Sequence, residues 1–229
     1  MTLHIGILLF PQNTQLDLTG PFELLHRLPD SAVHLVWKDT APVQAASGLR
    51  IVPTTTLSDC PPLDVLLVPG GIGTADLLTD APVLEWVAAQ GSRARYVTAV
   101  CTGSLVLGAA GLLDGYEATT HWAYTDILPL FGARPVRRRV VVDRNRITAG
   151  GVTAGIDFGL QLVADIAGET TAQAFQLALE YDPEPPFRAG HPDVAPAAIV
   201  ERVRKVMAPR VEAQRSKASG WASRSRLPA

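Results

Sequence analysis

The run Tyr96-Val97-Thr98-Ala99-Val100-Cys101-Thr102-Gly103-Ser104 decides the fold. Its first half is rich in β-branched residues, as in a strand buried on both faces. After Cys101 come small residues and then Leu105, Val106, Leu107, Ala109, Ala110 and Leu112, an apolar stretch with helical spacing. The sequence therefore predicts a thiol at a sharp strand-to-helix turn, the position of a nucleophile elbow. Unpaired N–H groups at a helix start favour a thiolate, and the same groups hold developing negative charge. A small cysteine packed beneath a helix fits the same pattern, so this stretch alone leaves both readings open.

Working outward, short apolar runs at 4–10, 33–38, 65–68 and 96–100 read as strands, and 20–28 and 82–90 as helices, with a further helix after Cys101. Strands alternating with amphipathic helices imply right-handed βαβ crossovers and an α/β three-layer sandwich around a mostly parallel central sheet. Residues 49–57 and the pair 136–143 and 146–149, joined by Arg144-Asn145, read as antiparallel additions. Two packed helices follow at 153–167 and 171–181. The segment Asp182-Pro183-Glu184-Pro185-Pro186-Phe187 cannot continue a helix and reads as an extended crossing of a surface or a partner subunit. A last helix is expected at about 196–207, then a disordered Ser/Arg-rich tail. The expected organisation is a catalytic α/β domain over 1–187, a helical extension over 188–213 and a disordered tail over 214–229. No helix-turn-helix module is legible after the α/β core.

The chain has 229 residues, 47% of them hydrophobic, enough to bury a full core in one domain. A net charge of −2 gives no electrostatic case for nucleic acid. The run Arg137-Arg138-Arg139 reads as a solvated hairpin edge. Two cysteines cannot form a disulfide framework and suit a reducing cytosol, and Cys60 reads as a loop residue. No segment is long enough for a signal peptide or a membrane span, so a cytoplasmic protein without a membrane partner is expected. The five histidines, at 4, 26, 34, 121 and 191, show no metal-ligand spacing, and no metal is expected.

In an open α/β sheet ligands bind beyond the carboxyl ends of the strands. Three loops leave such ends here with unusual sequences. The first, 10–23, carries Asp17, either a helix cap or a reacting carboxyl. The second, Pro69-Gly70-Gly71-Ile72-Gly73, is either a turn or a place of close backbone approach with N–H donors. The third is the Cys101 turn. A carboxyl held against a thiolate feels like charge and desolvation, which raise its proton affinity and favour a protonated Asp17 beside a Cys101 thiolate, a nucleophile next to a proton donor. Phe22, Trp122 and Ile156 are candidate pocket walls or simple core.

Val-Pro-Gly-Gly at 68–71, Ala-Val-Cys-Thr-Gly at 99–103 and Ala-Thr-Thr-His at 118–121 together resemble the PfpI family of the class I glutamine amidotransferase-like superfamily, with its flavodoxin-like topology. Asp-Leu-Thr-Gly-Pro-Phe-Glu at 17–23 is similar to the branch that hydrates isonitriles and that supplies amidase-like domains to AraC-type regulators. The resemblance covers about 4–187. It implies Cys101 as nucleophile, Asp17 as its acid/base partner, and the amides of Gly71 and Thr102 as oxyanion donors. It also implies a Thr102 hydroxyl near the reacting atoms. Gly70 belongs to the same glycine pair, and Gly150, with Gly151, is expected to line the site by close backbone approach. His121 corresponds to a triad base of proteolytic and amidotransferase relatives, but no acidic residue follows closely to orient it, so catalytic and packing roles both stay open. The implied reaction is isonitrile hydration to an N-substituted formamide through a Cys101 thioimidate, with no cofactor, in a homodimer. A cysteine-dependent amide hydrolase or amidotransferase is the alternative enzyme, and a thiolate-based redox or ligand sensor the alternative without turnover.

Overall fold

A computed structural model describes residues 2–225. Seven strands form the central sheet: β1 (Leu3–Leu8), β2 (Ser31–Trp37), β3 (Thr55–Thr56), β4 (Val65–Val68), β5 (Tyr96–Val100), β6 (Val140–Asp143) and β7 (Arg146–Ala149). Their order is β6-β7-β5-β4-β1-β2-β3, and every pairing is parallel except the β6–β7 hairpin. Ile5 pairs with Val33 on one side and Val65 on the other, so β1 lies in the middle and Ile5, Ile7 and Leu8 are buried. Because the chain winds first one way from β1 and then the other, the strand order switches between β1 and β4, where an open α/β sheet leaves a crevice at its carboxyl edge.

Helices α1 (Gln15–Leu25) and α5 (Ala154–Ala167) pack together over the sheet. Their contact is close because Gly155 faces Pro21 and Gly159 faces Leu24. Helix α2 (Thr74–Leu77) is a single turn, and α3 (Ala81–Gly91) and α4 (Gly103–Ala109) pack against each other and against β4. A 3-10 helix, Trp122–Phe131, lies on α4, and α6 (Glu169–Ala178) packs on α5. The expected three-layer sandwich with its parallel sheet is therefore present, and without the short edge strand β3 and the antiparallel β6 its core, β2-β1-β4-β5-β7, has the 2-1-3-4-5 pattern of a flavodoxin-like fold.

Three expectations change. Residues 49–57 divide: Arg50–Ile51 pairs antiparallel with Val43–Gln44, whereas β3 joins the main sheet parallel to β2. The three arginines at 137–139 precede β6 rather than lying in it, because the ladder with β7 begins at Val140. The largest change is at the C-terminus. Helix α7 runs over Ala197–Ser225, so the chain from Gln214, expected to be disordered, is helical as far as the structure describes it; residues 226–229 lie outside the described residues. The polar composition conceals a stripe at 211, 214, 218, 221 and 222, the i, i+3, i+4 spacing of one helix face. Along it Gln214, Ala218 and Ala222 are buried, and Trp221 meets the Phe131 ring edge to face with centroids 4.9 Å apart. No helix among the described residues is long and apolar enough to cross a membrane.

Candidate active site at the carboxyl edge of the sheet

The loops after β1, β4 and β5 converge at the crevice. Cys101 directly follows β5 with φ of 56°, a left-handed conformation that an L residue adopts only under local compulsion. Here the compulsion is a double anchor, since its N–H donates to the carbonyls of Ala149 (3.0 Å) and Gly150 (2.9 Å). The Thr120 hydroxyl donates to the Cys101 carbonyl at 2.8 Å, holding the other end of the same residue's backbone. Gly103 must be glycine, because a Cβ there would stand 2.0 Å from the Val68 carbonyl oxygen. The elbow is thus tied to the end of β7 and to Thr120, and pressed closely against the end of β4.

Asp17, in the first turn of α1, is wholly buried and does not cap its helix. Its Oδ2 accepts the Gly70 N–H at 2.9 Å, while Oδ1 is buried with no N–H or O–H donor on it. Gly70 marks the point where the loops meet. A Cβ on it would lie 2.6 Å from the Thr102 nitrogen, 2.7 Å from the Cys101 Cβ and 2.8 Å from Asp17 Oδ2. The thiol and the carboxyl are close neighbours, and each acts on the other's proton affinity. Burial pushes Asp17 up to about 7, against the pull of the Gly70 N–H and the thiol.

The thiol departs from expectation. Burial raises Cys101 well above the ordinary thiol range, the Asp17 charge raises it further, and the Thr102 N–H and hydroxyl pull it down by less. A short helix start does not offset desolvation, so the resting pair is a thiol beside Asp17, not a free-standing thiolate. The proton leaves Asp17 first, giving a carboxylate that accepts from the thiol.

The Thr102 N–H and hydroxyl lower the thiol's proton affinity, while the hydroxyl itself donates to the Gly71 carbonyl at 3.3 Å. The Gly71 N–H, expected as an oxyanion donor, donates instead to Thr102 Oγ1 at 3.0 Å. Gly150 and Gly151 line a cavity of about 590 Å³ with His121 and Trp122, whereas Phe22 and Ile156 line neither this cavity nor the smaller one. The larger cavity is also walled by the exposed Arg137, Arg138, Arg139 and Arg204, of which Arg138 pairs with Glu117 and Arg139 with Asp157. His121 caps the 3-10 helix, its Nδ1 accepting the Ala123 N–H at 3.3 Å. Burial lowers its proton affinity to about 4. Among the described residues no hydrogen bond joins its ring to Cys101 and no carboxylate pairs with it.

Sequence reading missed Asn13, Thr74, Thr120, Tyr124 and Gln214. The Thr74 hydroxyl reaches the Gly71 carbonyl at 2.7 Å and Thr102 Oγ1 at 3.0 Å. Gln214, from α7, donates to Thr74 Oγ1. Burial and the nearby Cys101 raise Tyr124, with Arg210 opposing. Tyr124 and Gln214 help line a second hollow of about 200 Å³ with Ile72, Ala75 and Ala213. Cys101 lines neither hollow and keeps 6% exposure, with residues bonded to or near it contributing to both. The only local signal for these residues is the polar character of 118–121 and of 74 beside the motifs. No group of three His, Cys, Asp or Glu side chains suited to a metal occurs among the described residues.

Comparison with known proteins adds to this geometry. The family model described as the DJ-1/PfpI family matches residues 4–165. An isonitrile hydratase of Pseudomonas putida is 59% identical over 209 residues, covering 91% of this chain and 92% of that protein. The HTH-type transcriptional regulator GbdR of Pseudomonas aeruginosa is 32% identical over 188 residues, 78% of this chain and 50% of the regulator. Among solved structures, a ThiJ/PfpI family protein from Pseudomonas syringae superposes with a TM-score of 0.93 at 46% identity, over 95% of this chain and 91% of that one.

Proposed function

The chain belongs to the DJ-1/PfpI family, and on that premise we propose that it is an isonitrile hydratase in which Cys101 attacks and Asp17 carries the protons. The observation that carries this reading is the buried Asp17 carboxyl beside the Cys101 thiol, with Oδ1 open to a proton. The likeness to the Pseudomonas putida isonitrile hydratase over nine-tenths of both chains supports the choice of reaction.

An isonitrile accepts a proton and a nucleophile at the same terminal carbon. The thiol proton passes to Asp17 and from it to that carbon, while the sulfur bonds to the carbon and the nitrogen keeps the electron pair. The product is a thioimidate, R–N=CH–S–Cys101. Water then adds to the same carbon as Asp17 takes one of its protons and passes it to the nitrogen, leaving a hydroxyl on the carbon whose proton goes to the sulfur in the next step. Breaking of the C–S bond returns a proton to the sulfur and releases R–NH–CHO. The Thr102 N–H, at the start of α4, favours the charged form of the sulfur and steadies the charge it carries as it arrives and departs. Hydrolysis of an amide, by contrast, builds an oxyanion at its first step, and one of its two expected donors, the Gly71 N–H, is already bonded to Thr102. That favours the isonitrile over the amide.

The test is to mix the protein with an alkyl or aryl isonitrile and follow formamide by mass, with Cys101→Ala as the blank. Formamide from the wild type alone is expected; none across several isonitriles, with release of ammonia from amides, overturns the reading. A reducing cytoplasmic setting, which keeps the sulfur a thiol, belongs to the same proposal. So does a homodimer, supported by the exposed Leu177, Phe187, Ile199, Val203 and Val206, close in sequence along 177–206. Val206→Asp is then expected to give a folded monomer by sedimentation, and an unchanged mass in solution counts against the dimer.

A further inference from the structure

The larger cavity adjoins the Cys101 turn and gathers cations that the reaction steps leave unused. Thr120 and Gly150 belong to its wall and also hold the two backbone ends of Cys101, the hydroxyl of the first on the carbonyl and the carbonyl of the second on the N–H. The same wall carries Arg137, Arg138, Arg139 and Arg204 against one carboxylate, that of Asp193, which lies 3.3 Å from His191 Nδ1. Glu117 and Asp157, outside the wall, take up Arg138 and Arg139. Arg137 and Arg204 have no carboxylate partner among the described residues. Arg204 instead stands over the Trp122 ring, 5.9 Å from its centroid, and Val152 and Pro192 extend the apolar part of the wall. Two spare guanidinium groups beside an apolar surface suit an anion with a hydrocarbon body: the planar fork matches a carboxylate, and the ring and aliphatic groups cover the rest. Inorganic phosphate would leave that apolar surface unmet.

We propose that this cavity receives the substituent of the isonitrile and that the substituent ends in a carboxylate, held by Arg137 and Arg204, so that the preferred substrates are isocyano acids. The inference rests on isonitrile hydration as the reaction and adds the substrate class. A cavity of about 590 Å³ has room for a substituent the size of an amino acid. The carboxylate takes no part in making or breaking bonds and keeps its charge from substrate through thioimidate to formamide. Its contacts therefore act equally on ground state and transition state, and the preference falls on KM rather than kcat. A neutral alkyl isonitrile is still hydrated, but it leaves both guanidinium groups to water and gains nothing from them.

The experiment compares kcat/KM for isocyanoacetate and the longer ω-isocyanobutanoate, each against its own methyl ester. It uses the protein as it assembles, since Arg204 lies between Val203 and Val206 of the proposed dimer contact. At least one acid is expected to exceed its ester about 10-fold, mainly through KM, and the margin should shrink as NaCl rises from about 50 to about 500 mM. Arg137→Gln and Arg204→Gln should each lower the acid-to-ester ratio about 3- to 10-fold, the worth of one charge-assisted contact. Arg93→Gln removes the same charge at an exposed position that lines neither cavity, and the ratio should stay at its wild-type value. No preference for either acid, a ratio that neither cavity variant moves, or one that Arg93→Gln lowers equally overturns the proposal while hydration stands. So does succinate that speeds turnover of an ester instead of competing with the acids, which would make the cavity an effector site. Calorimetry of Cys101→Ala with N-formylglycine and ω-formamidobutanoate, the expected products, gives a readout without turnover. If no isonitrile reacts but either formamide binds and Arg137→Gln and Arg204→Gln weaken it, the carboxylate site stands and the reaction assignment falls; if neither binds, both fall.

Discussion

At Asp17 the burial that tunes the chemistry also weakens the fold. Unfolding returns this carboxyl to its ordinary value of 3.8, whereas in the folded chain it holds its proton up to about 7. The folded state therefore binds the extra proton between those values, and the site favours folding most below about 4, less as pH rises, and least above 7. Asp17→Asn removes that loss. It is expected to raise stability at pH 8 by an amount on the order of 4 kcal/mol and by much less at pH 4, checked by urea unfolding at the two pH values. The same variant should lose about 10²–10⁴ of turnover, because no group remains to carry the thiol's proton. In the wild type kcat/KM should rise with pH through about 7 as the carboxylate forms; a flat profile there would separate Asp17 from the proton transfer. His121 offers the opposite case. Lowered to about 4 and hydrogen-bonded to Ala123 N–H, it is neutral in the range where the enzyme works. His121→Ala is expected to change kcat by less than about tenfold, far short of the loss a general base would give; abolished turnover would return it to the reacting groups.

At the scale of the element, the strand-end loops are crowded to the point where side chains are excluded. Gly70→Ala places a methyl against Thr102, Cys101 and Asp17 together, and two of those three are backbone or near-backbone atoms that cannot swing away. The variant is expected to lose about 1–3 kcal/mol of stability and most of its activity, seen as a lower urea midpoint and a parallel loss of turnover. Crowding of this kind explains what sequence reading captures. A strand such as 65–68 is apolar throughout because both of its faces are covered, and an elbow needs small residues after the nucleophile because β4 passes close behind. The Cys101 turn and the Gly70 approach are legible for that reason, whereas Asp17 reads from its own loop as either a cap or a reacting carboxyl and is joined to Cys101 by the family resemblance. The thiol's protonation was not, since helix-start geometry is local whereas burial is a property of the assembled core. Nor was the loss of the Gly71 N–H to Thr102, which depends on how two loops meet.

For the whole molecule, the decisive feature is the last helix, whose two halves do different work. Over 199–206 it exposes Ile199, Val203 and Val206, whereas from 214 onward it buries Gln214, Ala218 and Ala222 and sets Trp221 on Phe131. Its small alanines escape composition-based reading because they fill a groove by shape, not by apolar bulk, and their spacing has meaning only once the 3-10 helix is in place. Phe131 in turn stacks over Gly108 of α4, the helix that begins just after Cys101, where an added Cβ would lie 2.7 Å from its ring. Seating of α7 is therefore coupled through Phe131 to the helix behind the nucleophile, and through Gln214 to the threonines beside it. Trp221→Ala removes a half-buried aromatic pair and should cost about 2 kcal/mol, read as a lower urea midpoint with unchanged slope. Because Gln214 sits two turns earlier on the same face, turnover should fall as well, and a Trp221→Phe variant, which keeps an aromatic edge for Phe131, should recover most of both. A Trp221→Ala protein with lowered stability but full turnover would mean that the end of α7 braces the fold without reaching the chemistry.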